Sequence, residues 1–559
     1  MRHLKAIILF ASILLNSAAH GQCYFFRLFD NAGDDDFGIR VIPTINSNYI
    51  IAGETDAPSP YDSNWVLNID ECGNLIWTKQ YTMSPGIGGE EPRAIFQLVD
   101  SSFVIFGRQY EFVEDATSCY LLKLSKDGDS LWHRIVDVGY NDWGLAALAT
   151  WDGGFVGAGT YNEPLPDGHA FLVKTDSVGN IEWQRDYGDS TVKPWVEHME
   201  RTLDGNYIIS GYLVAGNFFL LKVDTLGNEV FFKTYGDTAL LGYGSAVATP
   251  DSGYFSVGCI SYQNIPQYHG YLIKTDADGN VEWEKTYADT LNMCLVHVAM
   301  AHDSNYIITG AYEDTLSGST FGGRLFLAKL DRQGNTLWDR RISYYGNNSG
   351  NYSEDLMVLP NGDILVTGFI IPDDDHFTGI RNQLFVLKAD SCGYTEFDSA
   401  RADFVGSVTG HTASFEFRGE GYCSFTWYFG DGDSTGEMSP SHTYADTGYY
   451  YVSLVCRAGG GPDTLTKRIR IRGTVGVDEA EELTAVRVYP NPANDLLVIE
   501  LEQSKEADLV LYDMVGKVML KQTIRRGSNT IDVSALAEGL YLYRIGETTG
   551  KISVLHVGK

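Results

Sequence analysis

The sequence predicts an all-β chain whose larger part is a seven-bladed β-propeller. Three observations predict it. Two short lines recur seven times in phase, each recurrence holds four strand signals separated by turn residues, and no repeat sustains the 3.6-residue apolar period of a helix.

The first line runs aromatic, two aliphatics, Lys, any residue, Asp, two residues, Gly, Asn, two residues, aromatic. It spans Trp65 to Trp77, Tyr120 to Trp132, Phe171 to Trp183, Phe219 to Phe231, Tyr271 to Trp283, Phe326 to Trp338 and, degraded, Phe385 to Phe397. Successive copies open 55, 51, 48, 52, 55 and 59 residues apart. The second line is a short apolar run ending at Gly53, Gly107, Gly159, Gly211, Gly258, Gly310 and Gly368. Each unit therefore reads as four strands: a small-residue run (244–250 is the clearest), the run ending in Gly, the run carrying Lys, and one starting near the Trp. Corners such as Asp204-Gly205-Asn206 separate them. Small residues fit the crowded axis of a propeller, and Trp fits its broad rim.

The mature start, Cys23 to Asp30, resembles an isolated fourth strand with Phe25 aligned on the repeat Trp, whereas the seventh unit's own fourth strand is degraded. The N-terminal strand is expected to complete blade seven, with a Cys23–Cys392 disulfide clasping the ring. The alternatives are a free Cys23 or a bond to Cys72, the equivalent corner of blade one. Cys259 and Cys294 fall on one face and are expected to form a second bridge.

The third-strand lysines (Lys123, Lys174, Lys222, Lys274, Lys329 and Lys388, with Asn68 in the first copy) recur too often to be catalytic. They read as structural, lying along the Trp or pairing with a turn Asp. Asp-x-x-Gly-Asn corners such as Asp276 to Asn280 lack the carboxylate run of a calcium loop, and their spacing departs from the sialidase Asp box. The acid clusters Asp34 to Asp36 and Asp373 to Asp375 read as solvated loops. No metal-ligand spacing, nucleophile motif or cofactor fingerprint is present, so no catalytic, metal or cofactor residue is assigned.

Unrepeated connections between second and third strands emerge on one face and are rich in Tyr, Asn, Asp and Gly, the composition of adaptable recognition surfaces. They nominate Tyr61 and Trp65 in blade one, Tyr161 and His169 in blade three, and Tyr262 and Tyr268 in blade five. Phe321 and Arg324 follow in blade six, and His376 and Phe377 in blade seven.

The chain has 559 residues with 41 Lys+Arg against 73 Asp+Glu; a formal net charge of −32 excludes the basic footprint of a nucleic-acid or anionic-membrane binder. A hydrophobic share of 44% excludes a largely disordered chain. Arg2, His3 and Lys5 precede the apolar run Ala6 to Leu15, too short to cross a bilayer at about 1.5 Å per residue. Residues 1–22 read as a signal peptide with no transmembrane segment after it, which puts the eight cysteines in disulfide-permissive surroundings. His20 and Gln22 depart from a lipobox before Cys23.

After about residue 400 the period stops. Trp427 leads into Phe429-Gly430-Asp431-Gly432, then His442-Thr443-Tyr444, Gly448-Tyr449 and an alternating strand. Residues 401–473 thereby resemble the PKD domain family, which implies a seven-stranded immunoglobulin-like β-sandwich, with Cys423 and Cys456 on adjacent strands and expected to be bonded. Residues 474–484 read as a polar tether. Tyr489-Pro490-Asn491-Pro492, the Leu511-Tyr512-Asp513 line ending in Gly516-Lys517, and Gly539-Leu540-Tyr541 then stand in order. Residues 485–559 resemble the type A C-terminal sorting domain of the type IX secretion system of Bacteroidetes. That resemblance implies a small C-terminal β-sandwich, handling by the type IX machinery, and a fate as released cargo or cargo attached to outer-membrane lipopolysaccharide. The propeller, at 23–400, is similar to those of secreted proteins carrying the same module.

Three functions remain in view. The first is a secreted or cell-surface binding protein using the propeller face for a glycan or protein ligand. A secreted polysaccharide hydrolase or lyase would instead gather loop acids at the channel mouth, and a structural matrix component would do neither.

Overall fold

The computed structural model describes residues 23–556 apart from 32–34, 57–61, 84–87, 112–115, 140, 162–168, 189–192, 215, 237–238, 263–267, 288–291, 314–322, 343–349, 372–381, 473–483, 515 and 547. Residues 1–22, read as a signal peptide, lie outside the described residues.

Seven four-stranded antiparallel sheets follow one another along the chain. Blade one is Asp36–Pro43, Tyr49–Thr55, Ser63–Ile69 and Leu75–Tyr81; blade four is Pro194–Arg201, Tyr207–Leu213, Phe218–Val223 and Glu229–Tyr235. Blade seven takes Gly350–Val358, Ile364–Ile371 and Gln383–Ala389 from one end of the propeller, and its fourth strand, Phe25–Phe29, from the other. That strand pairs with Gln383–Ala389, Phe25 opposite Lys388. First strands of neighbouring blades touch round the whole circuit, blade seven meeting blade one, so the ring is closed.

The recurring residues hold the blades together. Each third-strand Lys lies out of water and reaches the Asp in its own first-to-second turn. Lys174 meets Asp152 at 2.9 Å, Lys222 meets Asp204 at 2.8 Å, Lys274 meets Asp251 at 3.0 Å and Lys329 meets Asp303 at 2.7 Å. In blade one the exchange is double: Asn68 replaces the Lys, and Asn46 stands where the turns of blades two to six carry Asp; in blade seven that position is Asn361, and Lys388 meets Asp363 at 3.8 Å instead. The fourth-strand aromatic packs on the corner glycine of the next blade. A Cβ on Gly334 would lie 2.7 Å from the Trp283 ring, and the φ of +74° there already favours glycine. The corner Asp is spent locally: Asp176 Oδ1 accepts the Asn180 backbone N–H at 2.9 Å, and its Oδ2 accepts the Asn180 side-chain amide at 2.8 Å. No role as a calcium ligand is needed to explain it.

The same one-blade offset corrects the expected clasp. The Phe25 ring lies against Gly73, the corner of blade one, and Cys23 is bonded to the adjacent Cys72, not to Cys392. The fourth strand of a blade is neighboured by the next blade's corner rather than its own. Cys392 is bonded to Cys423, tying the propeller to the domain that follows. Cys456 is therefore unbonded, correcting the expected Cys423–Cys456 pair: the register sets Cys456 opposite Phe425, two residues away, with its thiol in the core. Burial pushes that thiol up to about 12. Cys259 is bonded to Cys294. Of the two acid clusters, Asp36 is no solvated loop residue: it opens a strand, is buried, and accepts the Asn31 N–H at 2.6 Å. Asp373 to Asp375 lie outside the described residues.

Beyond residue 400, a three-stranded sheet (Phe404–Thr409, Thr412–Phe417, Ser441–Thr443) faces Ser434–Thr435, Ser424–Tyr428, Gly448–Ala458 and Gly461–Ile471 across a core centred on Trp427, Phe404 and Phe415. Most of the expected tether lies outside the described residues. Directly after it, Thr484–Tyr489 pairs with Gly461–Ile471, so the sheet runs on into the C-terminal module without a break. Arg487 is buried at this junction, 3.2 Å from Asp403, 3.7 Å from Asp463 and 3.8 Å from Glu500.

The sorting-motif residues are structural within that module. The Tyr489 hydroxyl donates to Glu500 at 2.7 Å, and Asn491 accepts the Ser553 N–H at 2.8 Å, pinning the Pro490 and Pro492 segment to the last strand. Gly516 and Lys517 close a corner on Asp513, whose Oδ1 accepts the Lys517 N–H at 2.9 Å. Gly539 starts a strand, and the buried Tyr541 donates to the Ala537 carbonyl at 2.7 Å.

Candidate functional site

Every first strand carries a β-bulge at the same place. In blade four Val196 pairs with Gly211 and His198 with Ser210, leaving Glu197 unpaired between them. Arg93, Leu145, Val296 and Glu354 occupy the same position in blades two, three, six and seven. The glycine that closes the repeated apolar run, inside each second strand, makes room for it: a Cβ on Gly211 would sit on the Trp195 carbonyl oxygen. The bulge turns one side chain per blade toward the axis.

Bulge residues of six blades and their neighbours line a cavity of about 420 Å³ in the central channel. Arg93, Glu197 and Glu354 come from bulges, and Arg40, His198 and His297 from the next position; Arg108, Trp143, Trp195 and Tyr212 complete the charged and aromatic wall. Arg108 and Tyr212 stand near the ends of second strands, so the cavity lies at the end of the channel from which the second-to-third connections leave.

Electrostatics in this wall follow from burial. Desolvation raises Glu197 to about 7 with Arg93 opposing and Glu354 adding to it; Glu354 is raised the same way. Burial holds His297 down to about 3 and His198 well below its usual range, so both imidazoles are neutral. Their rings meet edge to face at 5.0 Å, and the Nδ1 of each has no partner among the described residues. His297 lies 3.5 Å from Asp355, which accepts the Val41 N–H at 2.9 Å. Glu91 holds both Arg93 and Arg108, the latter at 2.7 Å. Behind it Glu54 is raised to about 8 by burial and by the charge of Glu91.

Just outside this layer four seams between blades are filled by different chemistry at equivalent positions. Phe37 packs edge-on against Phe369 at 4.8 Å, Arg108 lies 4.1 Å over Trp143, and Cys259 is bonded to Cys294. Between blades three and four, Thr160 Oγ1 donates to Pro194 at 3.2 Å and accepts the Val196 N–H at 3.0 Å.

The nominated face residues are dispersed by comparison. Trp65 is no face residue: it is buried and its indole N–H donates to Thr78 at 2.6 Å, because it is the repeat's own third-strand aromatic. Tyr268 is exposed, while His169 and Arg324 are half-buried at the starts of third strands. Tyr161 and Tyr262 end second strands, their side chains outside the described residues, as are Tyr61, Phe321, His376 and Phe377 altogether. No cavity-lining residue was nominated from sequence. The signal available was the glycine ending every second line, which marks the bulge opposite it.

In the second domain Asp431, Asp433 and His442 bring ligand-type atoms within 4.8 Å of one another. His442 is bonded to Asp431 at 2.6 Å and stacked on Phe429 at 4.1 Å, contacts that serve the sandwich.

Residues 397–473 match the family model of the PKD domain, and residues 487–555 that of the secretion system C-terminal sorting domain. No curated protein matches the chain. Among solved structures, a protein of unknown function from Dyadobacter fermentans is 9% identical over 65% of this chain and 98% of its own, with a TM-score of 0.38. The polysaccharide lyase Uly1 is 10% identical over 67% and 93%, TM-score 0.42, and Drosophila Semaphorin 2a 9% identical over 82% and 99%, TM-score 0.41. The sorting domain marks the chain for the type IX secretion machinery and for the cell surface or the outside. No helix among the described residues is long and apolar enough to cross a membrane. This is an all-β protein in which a β-propeller precedes a PKD domain and a secretion system C-terminal sorting domain.

Proposed function

We propose that this is an exported recognition protein whose propeller binds its ligand at the channel mouth and the connections around it, with the PKD domain as a spacer. One observation carries the reading. The recurring charged and aromatic residues are consumed in holding blades together, whereas the unrepeated ones converge on a cavity of about 420 Å³. That lies within the roughly 300–1,000 Å³ of small-molecule sites. On this reading residues 1–22 direct passage through the inner membrane, 23–400 are the propeller, 401–473 the spacer, 474–484 a link and 485–559 the sorting module. The sorting module supports a Bacteroidetes origin and, on this reading, release of the chain or its attachment to lipopolysaccharide. Screening the full exported chain on a glycan array beside polysaccharide turnover assays tests it: binding without turnover supports recognition, and silence in both supports a matrix component.

A secreted polysaccharide hydrolase or lyase is the second reading, favoured by Glu197, which burial holds at about 7 and so poises for proton transfer at neutral pH. Turnover abolished by Glu197→Gln would establish it over the first.

A further inference from the structure

The cavity wall contains three arginines and two glutamates in a protein whose net charge is −32. Folding does not demand them. At the bulge and the position after it, other blades manage with Leu145 and Ala146, Gly244 and Ser245, or Ala94. Taking guanidinium groups out of water is costly, and a closed ring made from small residues would avoid it. Arg93 keeps 23% and Arg108 17% of their side-chain surface open. The Arg93 Nε has no hydrogen-bond partner among the described residues. Arg40 donates only to backbone carbonyls, those of Ile39 at 3.0 Å and Glu354 at 3.2 Å, and forms no ion pair among the described residues. Beside this cluster stand half-buried aromatic rings: Trp195 stacks on Tyr212 at 6.3 Å and meets Trp143 edge-on at 4.7 Å.

We propose that the channel mouth takes an acidic saccharide, its carboxylate or sulfate group held by Arg40, Arg93 and Arg108 and its ring laid against Trp195 and Tyr212. This rests on the recognition reading above and adds the ligand's class. Arginine supplies paired N–H donors in the geometry of a planar oxyanion, and an aromatic face suits the C–H face of a sugar ring. Arg40, without an ion-pair partner among the described residues, and the open surface of Arg93 and Arg108, which share Glu91, select for negative charge against an otherwise repelling acidic surface.

Calorimetry on the full exported chain tests it with oligogalacturonate, a sulfated galactose oligomer, their neutral galactose counterpart and an acidic peptide. An acidic saccharide should bind at least tenfold more tightly than the neutral one. Arg108→Gln and Arg40→Gln should each weaken it about ten- to a hundredfold, the loss of a charge-assisted hydrogen-bond pair. Should either variant fail to fold, competition on the unaltered protein decides: sodium sulfate should displace the acidic saccharide where sodium chloride of equal ionic strength does not. Which acidic arm wins separates carboxylate from sulfate. Equal binding of neutral and acidic sugars, unaffected by Arg108→Gln or by sulfate, overturns charge selection and leaves recognition standing. Preference for the acidic peptide overturns the saccharide, and silence of the whole panel overturns the proposal.

Discussion

Lys222 has one carboxylate partner among the described residues, Asp204 at 2.8 Å, and keeps only 9% of its side-chain surface in contact with water, against 50% for the Asp. The two sides of this pair are therefore unequal. Asp204→Asn leaves a buried ammonium without its counter-charge and should cost about 1–3 kcal/mol, discounted for the exposed carboxylate. Lys222→Met conserves volume and removes the buried charge altogether; it should cost under about 1.5 kcal/mol. Denaturant melts of the two variants check the order, and an equal or reversed loss would show that the pair is not what the Lys is for. Blade one, with Asn at both positions, is a natural precedent. At this scale the structural use of the lysines was legible because recurrence argued for it. The cavity was not: Arg93 stands at the bulge of one blade and Glu at that of two, Glu197 and Glu354, and nothing in a single line of residues shows that an unpaired position faces an axis.

The closing strand Phe25–Phe29 is held at both edges. It pairs with Gln383–Ala389 on one side, Arg27 reaches Glu396 at 2.6 Å, and the Cys23–Cys72 bond joins it to blade one. The bond closes a loop of 49 residues, which in the chain-entropy model contributes about 4 kcal/mol. Cys23→Ser should accordingly lower thermal stability by about 2–4 kcal/mol, together with faster exchange of amides in blades seven and one; loss confined to neither blade would contradict the clasp. The sequence placed this strand correctly because Phe25 aligns with the repeat Trp. It misplaced the bond because an alignment compares a blade with itself, while the contact belongs to the seam between blades. Cys423, just before the strand Ser424–Tyr428, reaches the propeller corner at Cys392 rather than the strand beside it.

Over the whole molecule, acids withdrawn from water outweigh their repeated counterparts in the turns. Burial, as the first cause, raises Glu54 to about 8 and Asp62, Glu197 and Glu200 each to about 7. Between roughly pH 4 and 8 these acids keep protons in the folded chain that they release on unfolding, so their contribution to stability falls as pH rises through that window, opposed below about pH 6.5 by His198 and His297, which the fold holds neutral. The turn carboxylates act oppositely: Asp204 is lowered to about 2 by Lys222 and Thr202, against the cost of burial, and its contribution is lost only below about pH 4. Thermal melts should therefore give a higher midpoint at pH 5 than at pH 8, and the reverse order would mean that the channel acids are ionised and stabilised in the fold. A second property of the whole concerns the sheet shared between the PKD and sorting domains. Severing the chain within 473–483 does not by itself free the module: five residue pairs from Thr464 opposite Val488 to Arg468 opposite Thr484 still have to unzip, and Arg487 has to regain its hydration. Once they do, a row of bare amides and carbonyls along Gly461–Ile471 is left as an adhesive border that the departed module had kept covered.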